Sequence, residues 1–180
     1  GERPVSTTWA YKIKLNPDGS IARFRARWCV RGDTEQHDFP RFSAMVGLPV
    51  LRTLLALYGG GIFKYLACFD IGNAFASAPA QRRVVVEQPP GYYDGTQTYL
   101  ELLRILYGQS DAGRGFWIHL EEVLLKFGLE RSDADPCTFS KGSIDNGDLF
   151  VVCTHVDDGP IFAQRKEDID SLEQHLKDNF

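Results

Sequence analysis

Two adjacent carboxylates, Asp157 and Asp158, close the run His155-Val156-Asp157-Asp158. One apolar run, Leu149 to Cys153, precedes them, and another, Ile161 to Ala163, follows almost at once. The pattern reads as strand, tight turn, strand, with both acids at the turn. Aspartate is common in turns because its side chain bonds nearby backbone, and that alone would explain the pair. A third acid suggests more. Asp70 ends a separate apolar run, Tyr65 to Phe69. A carboxylate at one strand end beside a pair on a neighbouring hairpin makes a three-carboxylate site. Such a site has the hard oxygen donors and the charge to hold two divalent cations for phosphoryl or nucleotidyl transfer. Spacing alone leaves the plain turn and the metal site both open.

The elements that must position these acids follow from periodicity and turn chemistry. Trp9 to Leu15 and Ile21 to Val30 alternate with a period of two, and Asn16-Pro17-Asp18-Gly19 between them suits a turn, so a β-hairpin is expected. Arg23, Arg25 and Arg27 fall on one face of its second strand, and Lys12 and Lys14 on one face of its first. That face is either a solvated exterior or a cationic surface for a triphosphate or nucleic-acid backbone. Gly32 to Val46 lacks periodicity and reads as a loop. Pro49 suits the first turn of a helix carrying Leu51, Leu54, Leu55 and Tyr58, which Gly59-Gly60-Gly61 ends. Val84 to Val86 reads as a short strand and Gln88 to Tyr92 as a rigid turn, whereas Thr98 to Leu106 is ambiguous. Ser110 or Asp111 would cap a helix with Phe116, Leu120, Val123, Leu124 and Phe127 on one stripe, stopped by Gly128, with His119 on its surface. Asp135-Pro136 is a break, Cys137 to Ser140 a short strand, and Gly142 to Gly147 a loop. Lys166 to Phe180 reads as an amphipathic helix with Ile169, Leu172 and Leu176 inward. Strands and helices mix without regular alternation, so the expected class is α+β, an antiparallel sheet packed on helices. Neither glycine-rich phosphate-loop pattern occurs.

At 180 residues, with 43% apolar and 24% charged residues, the chain has enough material for one core and a smaller lobe. No stretch approaches the roughly 18 apolar residues of a membrane span. The net charge of -4 argues against a uniformly basic nucleic-acid binder, but residues 1–33 hold seven Arg or Lys against three acids, while the C-terminal third is acidic. Cys29, Cys68, Cys137 and Cys153 are scattered, with no Cys-x-x-Cys pair, which argues against a zinc module and predicts buried free thiols in a reducing compartment. The chain starts on Gly1 and ends within a helical pattern, so both ends read as cuts in something longer.

Eight stretches, in order, resemble the reverse transcriptase domain of copia-type long-terminal-repeat retrotransposons. They are Tyr11 to Gly19, Phe24 to Arg27, Leu54 to Leu57, Asp70 to Phe75, Glu87 to Tyr92, Leu106 to Gly108, Ser132 to Pro136 and Val156 to Asp158. The resemblance implies fingers and palm of a right-hand polymerase without the thumb: about 1–62 and 76–108 fingers-like, about 63–75 and 109–180 palm-like. It implies that Asp70, Asp157 and Asp158 are the catalytic, metal-binding acids, with Ile71 lending a backbone carbonyl to the ions. Phe75 matches the aromatic beneath the sugar that excludes a 2′-hydroxyl. Arg27 matches the fingers arginine on the triphosphate, Lys14 a second cation, and Tyr107-Gly108 the lining of the nucleotide pocket. The implied cofactor is two Mg²⁺ ions, with Mn²⁺ able to replace them. The implied partners are an RNA or DNA template-primer, dNTP, and the remaining thumb, ribonuclease H and integrase parts of a polyprotein, with no membrane. The implied place of work is a cytoplasmic virus-like particle or the nucleus.

The chain departs from that family at four places. His155 stands where the family has Tyr. Gly159-Pro160 follows the acids where the family has apolar strand residues, which predicts a disturbed outgoing arm of the hairpin. Gln109-Ser110-Asp111-Ala112-Gly113 replaces Leu-Lys-Gln-Ala-Pro, and Ala76 to Arg83 is off pattern. These departures suggest a diverged, decaying copy. They leave open a catalytically inactive relic that binds nucleic acid or protein through the same fold.

Overall fold

The computed structural model describes residues 3–35, 45–95 and 99–180. In chain order the elements are β1 (Thr7–Leu15), β2 (Ile21–Val30), a 3-10 turn (Gly32–Thr34), α1 (Leu48–Gly59), β3 (Tyr65–Asp70), α2 (Ala74–Ser77), β4 (Val85–Glu87) and β5 (Tyr99–Glu101). They continue with α3 (Ala112–Lys126), β6 (Glu130–Arg131), β7 (Thr138–Lys141), β8 (Phe150–Cys153), β9 (Asp158–Ala163) and α4 (Lys166–Asn179). This is a mixed α and β chain with antiparallel sheets, as the pattern predicts. It divides into two compact units, Gly1–Arg41 with Phe75–Gly115, and Phe42–Ala74 with Phe116–Phe180.

In the first unit, β1 and β2 form the expected hairpin. Asp18 accepts the Ser20 N–H (2.9 Å) and hydroxyl (2.6 Å), and Gly19 supplies the positive φ (+84°) that closes the turn. Val5 bridges to Val86 in parallel, and β4 pairs antiparallel with β5. Val5, Val30, Val84 and Val86 form the core here, covered by Trp28, Leu100, Leu102 and Leu106. The ambiguous stretch thus contains a three-residue strand and then irregular chain, with residue 98 outside the described residues. The expected loop at 32–46 opens with the 3-10 turn, and its residues 36–44 lie outside the described residues.

The second unit is built on a five-stranded antiparallel sheet of order β3-β9-β8-β7-β6. β8 is central and all four of its side chains are buried, each stabilising by about 1.5–3 kcal/mol if an apolar side chain is fully removed from water. Its alternation splits them between two faces. Val151 and Cys153 pack with Leu54 of α1, Phe63 and Phe162. On the other face Phe150 meets Phe127, at 6.4 Å between ring centroids. The α3 stripe is buried as expected at Phe116, Leu120, Val123 and Leu124, as are Leu172 and Leu176 of α4. His175 of α4 bonds through Nε2 to the Val123 carbonyl (3.0 Å), tying the two helices together.

Several expectations need correction. β6 is an added strand, its two residues pairing with β7. The strand expected at 137–140 starts at Thr138 and runs to Lys141. His119 is half-buried rather than on the surface, because Phe180 at the end of α4 sets its ring 5.2 Å away. Cys137 and Cys153 are buried, but Cys68 is exposed, because β3 is an edge strand of its sheet. The outgoing arm of the hairpin is not broken by Gly159-Pro160: β9 runs from Asp158 to Ala163 and pairs with β3 throughout. The fit of glycine there is steric. A Cβ on Gly159 would stand 1.9 Å from the Cys153 carbonyl oxygen.

Candidate active site

The sheet register brings the three acids to one end of the second unit. Asp70 is the last residue of β3 and Asp158 the first of β9, and they stand directly opposite each other across the ladder. Asp157 lies one residue before, in the turn, and its carbonyl accepts the Ile71 N–H at 2.8 Å. Asp70 and Asp158 are exposed, Asp157 is half-buried, and Ile71 is buried. Val156 holds φ +63°. For a β-branched residue the left-handed region costs about 1–2 kcal/mol, strain of a kind that concentrates at functional sites. His155 is exposed; its N–H donates to the Asp158 carbonyl (2.7 Å), and its Nδ1 lies 3.6 Å from Asp158 Oδ1.

Among the described residues no three acidic, His or Cys side chains are already gathered as a ligand cluster. The Asp158 carboxylate is instead turned toward His155. Three like charges at one sheet end repel one another, and a divalent cation among them would remove that repulsion. The donor chemistry, carboxylate oxygen on exposed strand ends plus backbone, is what Mg²⁺ prefers. The residues therefore suit such an ion by donor type.

Of the expected nucleotide-binding residues, Ile71 lies in the second unit and Arg27, Lys14, Phe75, Tyr107 and Gly108 in the first, where three of them touch. The Arg27 guanidinium lies over the Tyr107 ring, its Cζ 4.6 Å from the centroid, and the Phe75 ring meets Tyr107 edge-on at 4.8 Å. Arg27 Nε is buried with no hydrogen-bond partner. Gly108 follows in a left-handed conformation (φ +87°), where a Cβ would stand 2.1 Å from the Val30 carbonyl oxygen, so only glycine lets the two backbones meet. Lys14 is not part of this group. It stands four residues along β1 from Ala10, the partner of Arg27, roughly 13 Å away at the rise of a strand. On that side of the hairpin Lys14 faces Arg23 and Lys12 faces Arg25. Like charges directly opposite one another are destabilising.

Two clusters escaped sequence reasoning. Asp135, given no role beyond a break within the Ser132–Pro136 stretch, is buried, and its carboxylate accepts the Gly47 N–H before α1 and the Cys137 N–H before β7, each at 2.8 Å. Buried Glu35 and half-buried Arg82, Ser110 and Asp111 form an ionic network. The only trace of it in the sequence is that Arg82 and Ser110-Asp111 lie in off-pattern stretches.

Comparison with known proteins agrees with the motif order. The family model for reverse transcriptase (RNA-dependent DNA polymerase) matches residues 1–180. The chain is 26% identical over 185 residues to the retrovirus-related Pol polyprotein from transposon TNT 1-94 of Nicotiana tabacum, an alignment covering 100% of this chain and 14% of that protein. It is 29% identical over 140 residues to the Pol polyprotein from transposon RE1 of Arabidopsis thaliana and 27% identical to that from transposon RE2, covering 75% of this chain and 10% of each relative. The chain thus spans a small part of the length of the relatives it matches.

Proposed function

The chain belongs to the reverse transcriptase (RNA-dependent DNA polymerase) family, and from that premise we propose that it carries the nucleotidyl-transfer site of a retrotransposon Pol polyprotein, extending a DNA primer on an RNA or DNA template. The observation that carries the reading is the register: Asp70 opposite Asp158, with Asp157 tied to Ile71. Asp70, Asp157 and Asp158, with the Ile71 carbonyl, would hold two divalent ions, Mg²⁺ by donor type and Mn²⁺ in its place. Those ions, when bound, lower the pKa of the primer 3′-hydroxyl and neutralise charge on the triphosphate and the leaving pyrophosphate.

The remaining roles fall to this chain's own groups. Arg27 is held by the Tyr107 face with an unused buried Nε–H, and a triphosphate oxygen would satisfy it. Phe75, packed edge-on against Tyr107, would lie beneath the sugar, where a 2′-hydroxyl would clash. Tyr107-Gly108 would line the base and sugar side of the pocket. Lys14, with Lys12, Arg23 and Arg25, would attract the nucleic-acid backbone or the incoming triphosphate rather than contact the reacting phosphate. Template pairing reads the sequence, so no side chain need read bases. The thumb, ribonuclease H and integrase parts of a polyprotein are its expected companions, and a virus-like particle or the nucleus its place of work. No helix among the described residues is long and apolar enough to cross a membrane.

Primer extension on a homopolymer RNA template with Mg²⁺ or Mn²⁺ tests the reading, using the polyprotein segment that carries this chain with its flanking frame. Activity should vanish in Asp157→Asn and Asp70→Asn. Extension that survives Asp157→Asn would refute the assignment and favour different chemistry. No extension in any form, with salt-sensitive nucleic-acid binding retained, would favour an inactive relic.

A further inference from the structure

The Glu35 side chain is fully buried, at 0% exposure. A buried carboxylate is costly unless it is paired and hydrogen-bonded. Its Oε2 accepts the Ser110 N–H (3.0 Å) and the Ser110 hydroxyl, and its Oε1 accepts Arg82 Nη2 (3.0 Å). Arg82 also forks onto Asp111, Nε to Oδ2 at 2.8 Å and Nη2 to Oδ1 at 3.3 Å. Burial alone would lower the Arg82 pKa, but the bonds it donates to Asp111 and Glu35 outweigh this and raise it. Such a network adds little stability over an apolar one of the same shape, although removing one partner is costly. Its use lies in what it holds in register.

It holds a seam between two segments. Val30 N–H donates to the Tyr107 carbonyl (2.8 Å), and Gly32 N–H to the Gly108 carbonyl (3.0 Å). The backbones touch: a Cβ on Gly32 would stand 2.2 Å from the Gly108 oxygen and 2.7 Å from the Ser110 nitrogen. Glu35 closes this seam three residues beyond Gly32, and Ser110 two beyond Gly108. The Tyr107 ring stands at the other end, carrying the Arg27 guanidinium on its face and Phe75 at its edge. The two stretches that depart from the family pattern, 76–83 and 109–113, thus meet and satisfy each other through Arg82 and Asp111. Unrelated drift in two segments would leave a buried charge unpaired far more often than it would pair one.

We propose that Glu35, Arg82 and Asp111 are positioning residues that set Tyr107, and through it the Arg27 guanidinium, for binding the polyphosphate of the incoming nucleotide. The inference rests on the reading of Arg27 and Tyr107 as the nucleotide pocket. It also makes the off-pattern residues a coherent alternative clamp rather than a sign of decay.

The test is calorimetric titration with inorganic tripolyphosphate, without divalent ions, on the same polyprotein segment. Arg27→Met defines the Arg27-dependent part of the binding. Arg82→Met and Glu35→Gln should each weaken that part by about tenfold or more, the effect of a misplaced binding group. Arg83→Met, which removes a neighbouring cation paired with Glu101 at the surface, should leave it within about twofold. Val86→Ala, a core truncation in the same unit, serves as a comparison of similar stability loss and should also bind normally. If Arg82→Met does not fold, Glu35→Gln decides. If Arg27 matters but both network variants bind within about twofold of wild type, the positioning role is overturned and the pocket reading stands. If Arg27→Met changes nothing, the pocket reading fails and the positioning role fails with it.

Discussion

Gly159→Ala should unfold the hairpin that carries Asp157 and Asp158 at far lower denaturant than wild type. The added Cβ would stand 1.9 Å from the Cys153 carbonyl oxygen, 3.0 Å from its carbonyl carbon and 3.2 Å from Phe69 Cε1. Ordinary contact begins near 3.4 Å, so β9 would have to move by about 1.5 Å. It cannot move alone. β9 is paired to β3 on one side and β8 on the other, and Cys153 is fully buried. Overpacking of this kind costs about 1–3 kcal/mol, and losing two ladder hydrogen bonds adds about 1 kcal/mol each, so the expected cost is about 3–5 kcal/mol. Urea unfolding followed by circular dichroism reads this as a midpoint roughly 2 M lower at unchanged slope, taking a slope of about 2 kcal/mol/M. Gly59→Ala is the comparison: its Cβ would meet nothing within 4 Å in the last turn of α1, and the change should stabilise by about 0.5–1 kcal/mol. A Gly159→Ala protein within about 0.5 kcal/mol of wild type would refute the steric account, and with it the explanation of why glycine stands in this arm.

Val156→Gly removes the left-handed strain at φ +63° and should raise the thermal midpoint by about 2–4 °C; a fall would show that the turn is not strained. Asp135→Asn keeps an acceptor for only one of the Gly47 and Cys137 N–H groups and should cost about 1–3 kcal/mol in denaturant unfolding, with Asp135→Ala costing more. Burial pushes the Cys153 thiol from 9.0 up to about 11, while its contact with Thr138 opposes the shift. The folded state therefore favours the neutral thiol. This contribution is fully present below pH 9, falls as the unfolded thiol ionises, and is gone by about pH 11, a loss of roughly 3 kcal/mol. Unfolding free energies measured from pH 8 to 11 should slope less in Cys153→Ala than in wild type, and equal slopes would contradict the burial argument.

What was legible in the sequence was local. The hairpin at Thr7–Val30, the start of α1 near Pro49, the stripes of α3 and α4 and the strand ending at Asp70 follow from period, turn chemistry and capping, all set by neighbours a few residues apart, whereas the start of β9 at Asp158 does not. Motif order was enough for the family, because it too is a linear property. The tertiary structure decided what depends on which segments meet. It set the register that puts Asp70 opposite Asp158, the edge position of β3 that exposes Cys68, and the crowding at Cys153 that makes Gly159 necessary. It also joined Arg82 to Asp111 and Glu35, 29 and 47 residues away in sequence. Long-range pairing is a choice among many possible partners, made by the burial of whole faces and the cost of unpaired charge. No short stretch of sequence contains that information: Gly159, Arg82 and Asp111 read as departures along the chain, and each has a steric or electrostatic partner only once the chain is folded.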